Sequence, residues 1–393
     1  MAQEQAKFLT GNLFRHITVM SLTSSVGLMA IFVVDFVDMI FISMLGKAEL
    51  AAAIGYSGAI LFFTSSFGIG LAIAAGALTA RALGSGDPLL ARRRASNSLY
   101  FGVVFGGLFA LVVWLNLRSI VELVGATGET ADLSVQYLSI IVPSLPLLLV
   151  GMVGGAILRA HGDARRAMTA TLVGGAINAV LDPILIFGLD LELTGAALAS
   201  VAARFGIAAV ALGPIFRHHG GLDRPELRRI MQDFGIVFAI ALPAILTQLA
   251  TPVGQAYVTR SMAQFGEDAV AGMAVVGRLT PLAFGVIFAL SGAVGPIIGQ
   301  NFGAGDQARE RRAFRDGLLF TALVCVVAAI VLFFLREPIV ALFKATGEAK
   351  ALIFLFCGPL ALAFFFNGII FLSNAAFNNM GPVSYTHLRA HET

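Results

Sequence analysis

Three acidic residues interrupt long apolar stretches of the sequence. Asp35 and Asp38 lie three residues apart in the first stretch, and Asp182 lies in the fifth. A charge at the centre of a bilayer costs about 2.5 kcal/mol or more, so residues of this kind usually carry a function or have a partner. Asp35 and Asp38 occupy neighbouring parts of one helix face, where two carboxylates cannot both ionise cheaply. They predict a site that loads and releases a proton, or one that binds Na⁺.

The fifth stretch carries a second oxygen-rich motif. Asn178 and Asp182 are four residues apart, hence stacked on one helix face, and Pro183 frees a backbone carbonyl beside them. Ser200 in the sixth stretch could add a hydroxyl. Hard cations prefer such oxygen ligands, so the set predicts a proton or Na⁺ site. Two alternatives stay open, namely a kinked helix satisfied by water and an acid paired with Arg204.

A substrate cavity would need further side chains inside the membrane. Two basic residues, Arg204 in the sixth stretch and Arg278 in the eighth, are candidates to contact either a substrate or the acids. Aromatic side chains could line an apolar cavity, although contact with lipid or with neighbouring helices is the commoner reason for such residues in a span. These candidates are Phe32, Phe36, Phe63 and Phe67.

The elements that position these residues are predicted to be membrane-spanning helices. Of the 393 residues, 58% are hydrophobic and 12% are charged, which excludes a soluble enzyme because a soluble protein needs a polar exterior. No catalytic motif, cofactor motif or Cys/His metal cluster is present, so we expect neither an enzyme nor a bound cofactor. The lipid bilayer is the expected partner, with no nucleic acid. Stretches of about 20 apolar residues span a bilayer, and ten are predicted, at roughly 16–45, 50–81, 96–117, 132–158, 167–188, 194–216, 232–262, 269–300, 316–335 and 351–377.

The loops between these stretches indicate an orientation. Most of the 26 Lys and Arg residues lie in the N-terminal segment and in alternate loops, such as Arg92–Arg94 and Arg309–Arg315. Positive charge stays in the cytoplasm. We therefore expect a multi-pass protein of the bacterial inner (plasma) membrane with a cytoplasmic N-terminus.

The sequence also repeats itself. The motif GSGD at 84–87 recurs as GAGD at 303–306, and GATGE at 125–129 recurs as KATGE at 344–348, both at the same offset along the chain. Six spans precede the second copy, so both copies share one orientation, as in many secondary transporters. The predicted organisation is an N-lobe of six spans (1–216), a cytoplasmic linker (217–230), an incomplete C-lobe of four spans (231–382), and a tail (383–393) that we interpret as foreign to the natural gene product.

Several motifs together resemble the multidrug and toxic compound extrusion (MATE) family, in its DinF-like branch. They are DMIFISMLGKAELAA at 38–52, LGSGD at 83–87, ILRAHGDARRAM at 157–168, NAVLDPILIFG at 178–188, GAALAS at 195–200 and GQNFGAGD at 299–306. The resemblance implies an all-α integral membrane fold of two parallel six-helix lobes, with 12 helices in the family and about 10 here.

The resemblance also implies a function and a site. Family members exchange H⁺ or Na⁺ for organic cations and drugs, and a monomer suits the two-lobe design. Asp38, Asn178, Asp182, Ser200 and Tyr137 match the family's N-lobe cation site. Two other functions remain open at this point: a lipid-linked oligosaccharide flippase of a related superfamily, and a membrane module that does not transport.

Overall fold

The structure, a computed structural model, describes residues 6–380, and every regular element in that range is helical. The predicted tail at 383–393 lies outside the described residues. The α-helices are α1 (Leu13–Met44), α2 (Ala48–Gly84), α3 (Pro88–Leu115), α4 (Leu117–Val124), α5 (Gly128–Ile141), α6 (Leu145–Ala160), α7 (Ala164–Pro183), α8 (Glu192–His218), α9 (Leu227–Met262), α10 (Glu267–Gly303), α11 (Gln307–Phe343), α12 (Gly347–Leu355) and α13 (Ala361–Met380).

Ten helical segments between residues 6 and 380 are long and apolar enough to cross a membrane, which agrees with the ten predicted stretches. Eight of these segments contain one long α-helix each. The other two are interrupted spans, one made of α5 and α6 and the other of α12 and α13. The short helix α4 lies between two spans and was not predicted. It buries Leu117 and Val121 on one side, as a surface helix does.

Prolines cause the interruptions, because a proline lacks the N–H that a helix needs. Pro143 lies in a 3₁₀ turn between α5 and α6, and Pro359 lies in a π turn between α12 and α13. Pro183 ends α7, and a π turn at Ile184–Gly188 follows it. The disruption predicted at Pro183 is therefore present, and it leaves the fifth span irregular just after Asp182.

The helices repeat with the offset seen in the sequence. Helices α10, α11 and α12 begin at the positions that the repeat pairs with the first residues of α2, α3 and α5. The last residues of α2 and α10, Gly84 and Gly303, are paired in the same way. The chain thus forms two related lobes, α1–α8 and α9–α13. The lobes meet where α1 packs on α10, where α2 packs on α9, and where α2 packs on α10.

The two lobes approach closest at the end of the molecule that carries the N-terminal segment and the arginine-rich loops, here called the basic face. A Cβ on Gly84 of α2 would lie 2.0 Å from the carbonyl oxygen of Gln300, and one on Gly303 of α10 would lie 2.1 Å from that of Arg81. Only glycine allows two backbones to meet this closely. Nearer the opposite face, a cavity of about 400 Å³ lies between α2 and α9.

Candidate cation site

Two helices of the N-lobe, α1 and α7, bring the two predicted acids together with one amide. Asn178 and Asp182 on α7 are both buried. The Asn178 amide, oriented with its nitrogen toward α1, donates to the two carboxylate oxygens of Asp38 at 3.0 and 3.1 Å. The other terminal atom of the Asn178 amide lies 3.4 Å from Asp182 Oδ1. One amide therefore bridges two acids that come from distant parts of the sequence.

The carboxyl groups of Asp38 and Asp182 also lie close to each other. Two carboxylates that are both ionised have no proton to donate, so a hydrogen bond between them would require one shared proton. The second oxygen of Asp182, Oδ2, is buried and has no hydrogen-bond partner among the described residues. A buried polar atom without a partner is costly, so this oxygen is suited to a proton or a cation.

The sequence around Pro183 explains why α8 comes close to this pair. Gly195 of α8 lies against the π turn, and a Cβ there would lie 2.7 Å from the carbonyl carbon of Leu185. Glycine thus lets α8 touch the irregular backbone that follows Asp182. This contact places Ser200, further along α8, on the side of the site formed by Tyr137 of α5.

Tyr137 and Ser200 form a second layer of the site. The Tyr137 ring is buried in an apolar cluster with Ile42 and Ile186, and its hydroxyl lies near the Ser200 side chain. Tyr137 is also close enough to both acids to interact with their charges. The oxygen atoms available to a Na⁺ ion therefore come from four helices, α1, α5, α7 and α8.

Arg204, a candidate cavity residue, does not bind the acids. Its guanidinium donates to the Ile141 carbonyl at 3.0 Å and to the Ser144 hydroxyl at 2.8 Å, at the break between α5 and α6. Sequence reasoning missed Ser144. Pro143 beside it was the available signal, because a proline inside a predicted span leaves carbonyls that need donors.

The other predicted site residues lie apart from the pair. Asp35 is exposed, one turn before Asp38 on α1, and Arg278 is exposed on α10 of the other lobe. Neither makes a hydrogen bond or ion pair with the described residues.

The phenylalanines divide between two helices. On α1, Phe32 is half-buried and Phe36 is exposed. On α2, Phe63 lines the cavity between α2 and α9, and Phe67 stacks on Phe109 of α3 with ring centroids 4.6 Å apart. Of these four side chains, Phe63 therefore contacts the cavity described above.

Comparison with known proteins decides the family. The MatE family model matches residues 24–184 and 243–387, most of the chain. The chain belongs to the MATE family. Among curated relatives, it is 28% identical over 365 residues to a protein named FAD transporter of Shewanella oneidensis, covering 91% of this chain and 80% of that protein. It is 25% identical over 358 residues to the multidrug export protein MepA of Staphylococcus aureus, covering 90% of this chain and 78% of MepA.

Solved structures agree with this assignment. The fold matches the Vibrio cholerae MATE transporter VcmN, crystallised as an aspartate-to-asparagine mutant, with a TM-score of 0.88, 26% identity, and coverage of 94% of this chain and 84% of that one. An outward-facing multidrug resistance MATE transporter matches with a TM-score of 0.87 at 22% identity, covering 97% and 85%, which supports the fold alone. The chain is thus a multi-pass membrane transporter and not an enzyme, as the sequence predicted. Its placement in the DinF-like branch stays a prediction.

Proposed function

We propose that this MATE-family chain is an antiporter of the bacterial plasma membrane. It exports organic cations in exchange for H⁺ or Na⁺ that binds between Asp38 and Asp182. The observation that carries the proposal is the bridged acid pair, in which Asn178 joins the buried Asp182 to the half-buried Asp38. The named activity of the relative MepA, multidrug export, supports the same class of substrate.

The geometry suggests how the ion acts on the lobe. While one proton is shared, the carboxyl groups of Asp38 and Asp182 hold α1 against α7. Loss of that proton leaves two negative charges in a buried site, which repel each other and separate the two helices. A Na⁺ ion between the acids would have the same effect as the proton, since it offsets one of their two negative charges and contacts both. Loading and unloading of the site therefore changes how α1 packs on the N-lobe.

Membrane energetics make this exchange productive. With the basic face in the cytoplasm, the present structure is closed inside and has its cavity nearer the outside. One net elementary charge that enters through 100 mV yields about 2.3 kcal/mol, so the potential drives export only when more positive charge enters than leaves. A one-for-one exchange of monovalent cations is driven by the H⁺ or Na⁺ concentration gradient. Outside, H⁺ or Na⁺ binds the acid pair and offsets one of its two negative charges, and the substrate leaves. Inside, the ion leaves and the exposed negative charge favours a cationic substrate.

The flippase alternative is less well supported. A diphosphate-linked substrate needs several cationic side chains in the cavity. Arg204 is occupied by the Ile141 carbonyl and the Ser144 hydroxyl, which leaves Arg278 as the one remaining cation of the two predicted inside the spans.

Efflux from everted membrane vesicles tests the proposal. The unaltered chain, Asp38→Asn and Asp182→Asn are compared with ethidium as the transported cation, first with an imposed H⁺ gradient and then with an imposed Na⁺ gradient. Asp35→Asn makes the same chemical change one turn away and is the matched control. We expect transport to follow one gradient, to be abolished in both pair variants, and to persist in the control. Gradient-driven transport that survives Asp38→Asn and Asp182→Asn would refute the coupling site.

A further inference from the structure

The N-terminal segment forms a strap across the basic face, defined here as residues 6–12. It contains one 3₁₀ turn, Lys7–Leu9, followed by a short link to α1. The Phe8 side chain is fully buried. Its apolar surroundings come from both lobes and include Ile17 of α1, Ile297 of α10 and Ala313 of α11.

Hydrogen bonds tie the strap to the C-lobe through its backbone. The Phe8 amide donates to Gln300 Oε1 at 2.8 Å. The Phe8 carbonyl accepts from Arg309 at 2.9 Å and from Asn301 at 3.3 Å. The hydrogen bond from the Phe8 amide to Gln300 and the hydrogen bond from Asn301 to the Phe8 carbonyl are both buried. A buried backbone group that loses its hydrogen-bond partner costs the folded state the full desolvation penalty of that group.

The same strap also binds the N-lobe. The Lys7 ammonium donates to the Gly162 carbonyl at 2.7 Å, in the loop between α6 and α7. A Cβ on Gly162 would lie 2.5 Å from the Lys7 side chain and 3.2 Å from the Phe8 ring. The loop thus has a glycine where the strap crosses it, and the strap bridges two lobes at one face of the molecule.

Beneath the strap, two residues related by the repeat link the lobes directly. Arg81 of α2 donates to the carbonyls of Asn378, at 2.7 Å, and of Asn379 in the other lobe. Gln300, the repeat counterpart of Arg81, donates at 2.8 Å to the carbonyl of Ala160. Ala160 is in turn the repeat counterpart of Asn379. Each lobe therefore donates a side-chain hydrogen bond to a backbone carbonyl at the end of a span in the other lobe.

We propose that the strap and the Arg81 and Gln300 bonds form a latch that holds the lobes together at the basic face and sets how often this face opens. Any opening that separates α2 from α10 at Gly84 must break both repeat-related bonds and free the strap from one lobe. The proposal concerns the balance between closed and open states. It therefore goes beyond the proposed function and depends on neither the substrate nor the coupling ion.

Distance measurements between spin labels test the latch in the purified full chain. One label pair, at Leu89 and Ala308, reports on the basic face, and a second, at Glu129 and Glu348, reports on the opposite face. All four positions are exposed, and the members of each pair are repeat counterparts. The native cysteines, Cys325 and Cys357, are buried and are replaced by alanine throughout.

Two variants weaken the latch in different ways. Phe8→Ala removes the buried anchor of the strap. Gln300→Glu keeps the size of the side chain and its acceptor but removes the donor to Ala160, so it still tests the latch if the strap variant is poorly folded. Lys47→Gln is the control, because it breaks an exposed ion pair with Glu192 inside one lobe.

We expect Gln300→Glu to raise the ratio of open to closed populations at the basic face about fivefold, the change that one net hydrogen bond produces. Phe8→Ala should raise this ratio by more, because it removes a fully buried aromatic ring. The Glu129–Glu348 distances should shorten in the same molecules. The control should match the unaltered chain. Distance distributions in both latch variants that match the control would overturn the proposal, and so would a widening at the basic face that leaves the opposite face unchanged.

Discussion

A buried ion pair between the lobes gives the most direct test of the packing at the basic face. Asp233 of α9 is almost fully buried and accepts from Arg93 of α3 at 2.8 and 3.1 Å and from Asn97 at 2.6 Å. Asp233→Asn preserves the shape of the side chain and removes the charge, so it presents an NH₂ group to donors. Removing one partner of a buried pair costs about 3–5 kcal/mol.

The exposure of Arg93 lowers this figure. The Arg93 side chain keeps 27% of its surface exposed to solvent, so water replaces part of the lost interaction. We therefore expect Asp233→Asn to lower the free energy of unfolding by about 2–3 kcal/mol. The measurement is thermal unfolding of the purified chain, where this loss lowers the midpoint by several degrees. Because the pair is buried, the difference should persist in 1 M salt.

A matched control separates burial from simple loss of charge. Asp132→Asn removes a carboxylate that is 68% exposed and bonded to Arg118 on the opposite face. We expect no measurable change in its unfolding midpoint. Equal midpoints for the Asp233 and Asp132 variants would refute the claim that the Asp233 pair stabilises the contact between the lobes.

Two further predictions concern the same face. Gly84→Ala places a methyl group against the α10 backbone and should cost about 1–3 kcal/mol of stability, whereas Gly213→Ala, with open space around its Cβ, should be neutral or slightly stabilising in the same unfolding assay. Burial opposes ionisation of Asp163, but its hydrogen bonds with Arg166 outweigh this and keep the pKa of Asp163 lowered. Its stabilisation is therefore present above the unfolded pKa of about 3.9 and is lost as pH falls through the native pKa. Asp163→Asn should lower the midpoint at pH 7, and the deficit should shrink as the pH falls below about 3.9; a deficit that does not change with pH would contradict the assignment.

The sequence was sufficient to predict the spans and the repeat, because hydropathy and recurring loop motifs are local properties. It also drew attention to Asp38, Asn178 and Asp182, since polar residues stand out against an apolar background, and the structure places these three side chains together; their role in coupling stays a prediction. It did not single out Asp233, which lies one residue inside the predicted seventh span. Near a span end, an acid looks like part of a solvated loop, and only the position of Arg93 on another helix reveals its burial.

Partner choice across helices was the second thing that the sequence left open. Arg204 was compatible with the acids, with a substrate or with backbone carbonyls, since a guanidinium satisfies any acceptor within reach. The structure resolves this through the break at Pro143, which brings Ser144 and the Ile141 carbonyl to Arg204. The strap was similarly hidden, because a short segment with one aromatic side chain has no periodicity to interpret.

The latch shows why a duplicated scaffold need not keep duplicated residues. Arg81 and Gln300 occupy equivalent positions and make equivalent bonds across the lobes. An arginine has donors only, whereas a glutamine has a donor and an acceptor. Gln300 can therefore bind the Ala160 carbonyl and the Phe8 amide together, which arginine could not do. The symmetry of the residues is lost at Gln300, which must also receive the strap, while the symmetry of the contacts between the lobes is retained.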